Sequence, residues 1–218
     1  TIAIAGKYTS LEDSYASIIE SLHHCESYFG VRINLKFIDT EKGEINLDEI
    51  SGVIIPGGFG SRGIEGMIKA IKLCREKKIP FLGICLGLQM AVVEFARNVC
   101  NLKAHSAEID SACVDPVIDI LEEQKFVENK GGTMRLGSYP AIIKEGTIVH
   151  LLYNNTKVDE RHRHRYEVNP KYHKILEENG LVFSGMSPDG NLVEFIELKN
   201  HPFFVATQAH PELKSSLL

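Results

Sequence analysis

Long apolar runs are missing from this chain. No stretch approaches the roughly 20 residues that a membrane-spanning helix needs, which excludes a helical bilayer span. No basic-plus-apolar leader opens it, so the sequence reads as that of a cytoplasmic protein. Positive charge is not in excess: 24 Lys and Arg stand against 29 Asp and Glu, a formal net charge of −5 with a sequence pI near 6.0. That balance is wrong for nucleic acid or an anionic membrane as the main partner. Cysteine is sparse and scattered. The five residues Cys25, Cys74, Cys85, Cys100 and Cys113 are odd in number and form no C-x-x-C pair, which excludes a disulfide framework and a zinc ribbon. Glycine runs are not followed by Gly-Lys-Ser/Thr, so there is no P-loop. Internal repeats and low-complexity linkers are absent too. What remains is 218 residues, 44% hydrophobic, enough for one substantial core and expected to form one domain over residues 1–218. The opening residue is Thr1, so the sequence reads as a domain of something larger or a processed product.

The first half alternates strand and helix patterns. Ile2-Ala3-Ile4-Ala5-Gly6 is a short apolar strand. Residues 13–28 carry helical spacing through Tyr15, Ile18, Ile19 and Leu22, with Gly30 as a stop. Residues 32–39 alternate as a strand does. Gly52-Val53-Ile54-Ile55 is a continuous apolar run, the mark of a buried parallel strand. Pro56-Gly57-Gly58-Phe59-Gly60 is a turn, Ile64, Met67, Ile68, Ile71 and Cys74 share a helix face, residues 80–84 form another buried strand, and residues 86–100 another helix. This rhythm predicts βαβ units: an α/β, doubly wound, flavodoxin-like fold whose mostly parallel central sheet is flanked by helices, with active groups at the carboxyl ends of the strands. Residues 101–137 read as irregular. Strand-like pieces follow at 138–144, 161–168, 181–186, 191–198 and 202–208, with a short helix near 170–179 and a hairpin signal at Asp189-Gly190.

Chemistry concentrates in Phe81-Leu82-Gly83-Ile84-Cys85-Leu86-Gly87. An apolar strand runs into Gly-x-Cys-x-Gly and then a helix, a turn that lifts one side chain clear of the sheet beside free N–H groups. The glycines are expected there because side chains would crowd the turn or a substrate. A thiol at a helix N-terminus is expected to ionise more readily, and the thiolate is the nucleophile. The bland alternative is a buried structural cysteine. His210, after the apolar run Phe203-Phe204-Val205-Ala206, is a candidate base. Glu212, two residues on past Pro211, is a candidate orienting acid. Alone, each reads as a solvated turn residue; with Cys85 they compose a cysteine-hydrolase triad.

Gly58-x-Gly60-x-x-Gly63 matches a dinucleotide fingerprint in form, but no acidic ribose-binding residue ends a strand about 20 residues on. An oxyanion hole fits better, built from the Gly58 and Leu86 N–H groups. In Arg161-His162-Arg163-His164-Arg165, strand alternation puts the arginines on one face and the histidines on the other. Two His without a nearby acid or Cys make a poor metal site, so no metal is expected. A carboxylate-gripping arginine, a solvated basic edge strand and a nucleic-acid contact remain as readings. His23-His24 is expected to face solvent.

Pro-Gly-Gly-Phe-Gly, Gly-x-Cys-Leu-Gly-x-Gln and Gln-x-His-Pro-Glu together resemble the class I (triad) glutamine amidotransferases. Gly6-Lys7-Tyr8, Asp13-Ser14-Tyr15, Phe59-Gly60-x-Arg62-Gly63-x-Glu65-Gly66, residues 131–137 (Gly-Gly-Thr-Met-Arg-Leu-Gly) and residues 161–169 (Arg-His-Arg-His-Arg-Tyr-Glu-Val-Asn) resemble one branch of that family. The resemblance implies a Cys85–His210–Glu212 triad that hydrolyses L-glutamine through a γ-glutamyl thioester. It implies glutamine contacts from Gly58, Leu86, Gly87, Leu88, Gln89, the Glu108 of Ser-x-Glu, and Arg165. Chemically, Glu108 suits the substrate ammonium and Arg165 its carboxylate. It further implies a partner, an N-terminal synthetase domain of the same polypeptide that uses ATP and Mg and aminates UTP with the released ammonia. GTP would be an allosteric activator near Lys7, Tyr8, Arg62, Glu65 and Arg135, the glutaminase domain itself would need no cofactor, and the whole enzyme would be a homotetramer. Two departures stand out: Ala209 precedes His210 where a bulky aromatic is usual, and residues 213–218 replace the usual Phe-x-Ser-Arg-Pro. Two other readings stay open, an amidotransferase of another pathway or a cysteine peptidase on the same scaffold, and a silent regulatory module that has kept the fold.

Overall fold

The computed structural model describes residues 1–7, 12–42, 44–120 and 134–217, with Glu12 and Asp13 described by backbone alone. The first half follows the hydrophobic pattern. Strand β1 (Ile2–Gly6) leads through a short 3-10 turn (Glu12–Tyr15) to helix α1 (Ala16–Phe29), which Gly30 ends in the left-handed conformation at φ 63. Strands β2 (Leu35–Asp39) and β3 (Gly52–Ile55), helix α2 (Ile64–Lys77), strand β4 (Phe81–Ile84) and helix α3 (Leu86–Asn98) follow. All four residues of β3 are buried, as a strand covered on both faces requires.

Residues 101–137, read from sequence as irregular, contain β5 (Ala104–Ser106), β6 (Asp115–Asp119) and the start of β7 (Arg135–Ile143). The first two are short and interrupted by turn residues, so their periodicity is too brief to register. Sequence reading also misses helix α4 (Ile148–Tyr153), whose six residues are too few for a helical period. It forms because the Thr147 hydroxyl accepts from His150 N at 3.1 Å and the Glu197 carboxylate accepts from the Ile148 and Val149 N–H groups at 3.0 and 3.2 Å, local and long-range caps together. The expected 161–168 strand is two strands, β8 (Lys157–His164) and β9 (Glu167–Val168), broken at Arg165-Tyr166. Helix α5 (His173–Glu178), strand β10 (Leu181–Met186), strand β11 (Val193–Leu198) and strand β12 (Phe204–Thr207) complete the chain, with Asp189-Gly190 turning between β10 and β11.

One nine-stranded sheet runs β2-β1-β3-β4-β12-β11-β10-β7-β8. Its first five strands are parallel and the remaining four join antiparallel, so it is mixed. The parallel part has flavodoxin-like order, with α1 on one face and α2 and α3 on the other. A second sheet, β5-β6-β9, meets the outer side of α3. That is why Leu86 to Ala96 are all buried: the helix is walled in on every side.

Candidate active site

The turn at Cys85 is set by close approaches. Cys85 has φ 51 and ψ −100, a backbone region costly for a residue with a Cβ and typical of functional turns. A Cβ on Gly83 would lie 2.8 Å from the Gly87 carbonyl carbon, and one on Gly87 would strike the Ile55 carbonyl oxygen. The two glycines are therefore demanded by the seating of α3 against β3 and β12 rather than by room for a substrate. Leu86 opens α3, so its N–H lacks an intrahelical acceptor.

Parallel register brings the far end of the chain to this turn. Ile84 on β4 pairs with Thr207 on β12, and Cys85 N donates to Thr207 O at 2.7 Å. Gln208 thus emerges beside Cys85 and His210 just beyond it. The His210 backbone N–H donates to Arg161 O at 2.7 Å, so the basic strand β8 steadies the turn through its backbone. Nδ1 of His210 meets Glu212 Oε1 at 2.7 Å, and the ring hydrogen-bonds Cys85. With Nδ1 engaged, Nε2 is the nitrogen left for the sulfur. Burial by itself lowers the imidazole pKa, but the hydrogen bonds and charges of Cys85 and Glu212 outweigh it and raise it to about 10. Gly57 lies between: a Cβ there would stand 2.7 Å from His210 Cε1 and 3.6 Å from Cys85 Cβ. A cavity of about 170 Å³ lined by Tyr15, Pro56, Gly57, His210 and Glu212 opens alongside.

The glycine loop closes over this pair. Gly58 lies against the Leu86 side chain, with 3.4 Å from a notional Cβ to Leu86 Cδ2. Lys7 is buried, and its ammonium donates to the Phe59 and Gly60 carbonyls of that loop. Burial and the Arg62 charge lower the Lys7 pKa, while Glu108 and Glu41 raise it. Glu108 Oε1 accepts from Gly60 N at 3.4 Å. Burial raises the Tyr166 phenol pKa, Glu108 raises it further and Arg165 opposes them. Gln89 is turned inward, its Nε2 on Tyr166 O at 3.0 Å. Leu88 is fully buried in the main core, so its side chain faces away from any substrate.

The remaining candidates are spread out. Arg62 is exposed and 3.7 Å from Glu41; Glu65 is exposed and meets Arg97 at 3.0 Å. Tyr8 and residues 131–133 lie outside the described residues. Arg135 departs from the sequence expectation of an effector contact. It is buried, with its guanidinium on Glu167 at 3.1 Å and Glu194 at 2.8 Å. Around it stand His162 and His164, with Nδ1 of one 2.8 Å from Nε2 of the other. Burial, then the Arg135 charge, pushes His162 down to about 3; burial, then His162, pushes His164 down as well. Burial pushes the Glu167 carboxyl up to about 8. Sequence reading set these histidines apart from any acid. The acids come from β9 and β11, and only the β9 one is near in sequence. Among the described residues no group of three or more His, Cys, Asp or Glu is arranged to hold a metal, and no helix is long and apolar enough to cross a membrane.

A thiol, an imidazole and a carboxylate in series at the carboxyl ends of parallel strands, under a glycine loop, define an acyl-transfer site of the cysteine type. The model of the family described as "Glutamine amidotransferase class-I" matches residues 10–217, and the chain belongs to that family. Within it, similarity is to the CTP synthases. The chain is 53% identical over 226 residues to CTP synthase of Methanococcus maripaludis and 55% over 221 residues to that of Bacillus subtilis, in each case 99% of this chain. It spans 42% and 41% of those relatives. Among solved structures, the glutaminase domain of Trypanosoma brucei CTPS with bound acivicin superposes with a TM-score of 0.92 at 34% identity, covering 99% of this chain and 87% of that one.

Proposed function

We propose that this chain is the glutamine-hydrolysing part of a CTP synthase. The observation that carries the reading is the Cys85–His210–Glu212 series, in which one imidazole contacts both the sulfur and the carboxylate. His210 Nε2 takes the Cys85 proton, and the thiolate attacks the side-chain carboxamide of glutamine. The tetrahedral oxyanion forms toward the Gly58 and Leu86 N–H groups. The imidazolium returns its proton to the leaving nitrogen, ammonia departs, and a γ-glutamyl thioester remains. Water, deprotonated by the same imidazole, then releases glutamate and restores the thiol. Glu212 holds the imidazole in one tautomer and balances its charge. Glu108 receives the substrate ammonium and Arg165 its carboxylate. The ammonia serves a synthetase domain elsewhere in the polypeptide, which uses ATP and Mg to aminate UTP. GTP would act near Lys7, Arg62 and Glu65, residues that share with Tyr8 the motifs on which the resemblance rests. The near-complete coverage by CTP synthases supports this assignment over a peptidase or a silent module.

The test is Cys85→Ala in the whole enzyme. Glutamate release and glutamine-dependent CTP formation are expected to vanish while CTP formation from added ammonium persists. Glutamate release at the wild-type rate would overturn the assignment of the nucleophile.

A further inference from the structure

Gln208 has no part in the triad, yet its side chain also reaches the sulfur. Its side chain is fully buried, its backbone N–H donates to Glu194 O at 2.9 Å, and its Nε2 lies 3.8 Å from Cys85 Sγ. The orientation of its amide is fixed by a chain of acceptors. The Tyr166 carbonyl can only accept, so it takes Gln89 Nε2 at 3.0 Å. The second N–H of that amide points at Gln208, whose Oε1 lies 3.5 Å away. Gln208 Nε2 is thereby turned to the sulfur. A flipped amide would set a carbonyl oxygen against the nucleophile and oppose two N–H groups. Gln89 is 3% exposed, Cys85 4% and Gln208 0%, so water does not take over these contacts.

We propose that Gln208 is a thiolate-stabilising residue, and that Gln89 is the positioning residue that aims it. Two buried amides then join the nucleophile to the Tyr166 carbonyl, next to Arg165. The Cys85 end of this link stands on geometry alone; its substrate end rests on the glutaminase reading above. A thiolate in so closed a site needs several donors. His210 supplies one and Gln208 another from the neighbouring strand end, where the Ile84–Thr207 register delivers it.

The experiment measures iodoacetamide alkylation of the Cys85-containing peptide against pH, by mass spectrometry, in the whole polypeptide that carries this chain. Gln208→Met keeps the volume and removes the donor. A hydrogen bond to a charged group is expected to move the midpoint of alkylation upward by about one to two pH units. Gln208→Glu, nearly isosteric, is expected to move it at least as far because a carboxylate then faces the sulfur. Gln89→Met is expected to give a smaller shift in the same direction. In steady state, Gln208→Met lowers kcat for glutamine hydrolysis and leaves KM near wild type. Midpoints unchanged in both Gln208 variants would overturn the proposal whatever their thermal stability, and Gln208→Glu decides alone if Gln208→Met does not fold. A shifted midpoint in a protein whose wild type hydrolyses no glutamine would leave this proposal standing and sink the glutaminase reading.

Discussion

Gly57→Ala is the sharpest steric probe of the site. Gly57 is absent from the positive-φ residues among those described, so alanine meets no backbone penalty. The damage comes from one methyl group, which would lie 2.7 Å from His210 Cε1. Carbon atoms rest about 3.5 to 4 Å apart, so the ring must retreat by roughly 1 Å. Its Nδ1 now sits 2.7 Å from Glu212 Oε1, and a hydrogen bond stretched by about 1 Å is lost. The contact with Cys85 goes with it. Misplacement of a reacting group by that much costs on the order of 10²-fold in rate, or about 2.7 kcal/mol of barrier. Gly58→Ala is the control. Its methyl would meet only the far ends of Leu86 and Lys7, at 3.4 and 3.6 Å, and the backbone N–H at that position survives. Its kcat is expected to fall by less than about tenfold, since no hydrogen-bond donor is removed. The assay is kcat for glutamine hydrolysis beside a thermal melt. A Gly57→Ala enzyme with near wild-type kcat, or a larger loss in Gly58→Ala, would refute the steric reasoning.

Two predictions concern stability. Because the folded pKa of His210 is raised from 6.5 to about 10, its contribution is complete below pH 6.5 and is lost as pH rises to about 10. Denaturant titrations between those limits should therefore show a falling stability that is shallower in Glu212→Gln, and parallel curves would contradict the assigned ion pair. Arg135→Met strands the Glu167 and Glu194 carboxylates in the interior. Breaking a buried ion pair from one side costs about 3 to 5 kcal/mol, so urea unfolding should lose about that much, with the loss greater at pH 9 than at pH 6 because the Glu167 pKa is near 8. An unchanged midpoint would show that the network does not stabilise the fold.

The parallel half was legible because each element carries its own period. Gly52 to Ile55 is apolar without interruption, and Ile64, Met67, Ile68, Ile71 and Cys74 mark one face, all buried. The turn at Cys85 was legible because glycine is the one residue that fits at positions 83 and 87. What stayed hidden depends on partners distant in sequence. Helix α4 starts on the carboxylate of Glu197, 49 residues away from Ile148. Arg135 carries nothing in its own neighbourhood to announce Glu194. Nothing around Gln89 in sequence announces the backbone carbonyl 77 residues on that accepts from its amide. Such pairings are set by tertiary closure, which composition and spacing do not encode.

The site is assembled across the seam of the sheet, and that decides what holds it. Cys85 leaves the last β4 residue and takes its backbone acceptor from β12. His210 leaves β12 and takes its acceptor from β8, the far edge strand of the antiparallel half. The ion network of Arg135, Glu167 and Glu194 ties β7, β9 and β11 together behind His162 and His164, and both of those histidines sense the His210 charge. Lys7, at the end of β1, grips the glycine loop from the opposite side. Neither half of the chain therefore possesses the reactive geometry. The first half of the chain supplies a sulfur poised on a strained turn, and the second half, through parallel strand β12, supplies the imidazole and the carboxylate beside it. Chemistry becomes possible only when β12 zips against β4 and brings the two strand ends level.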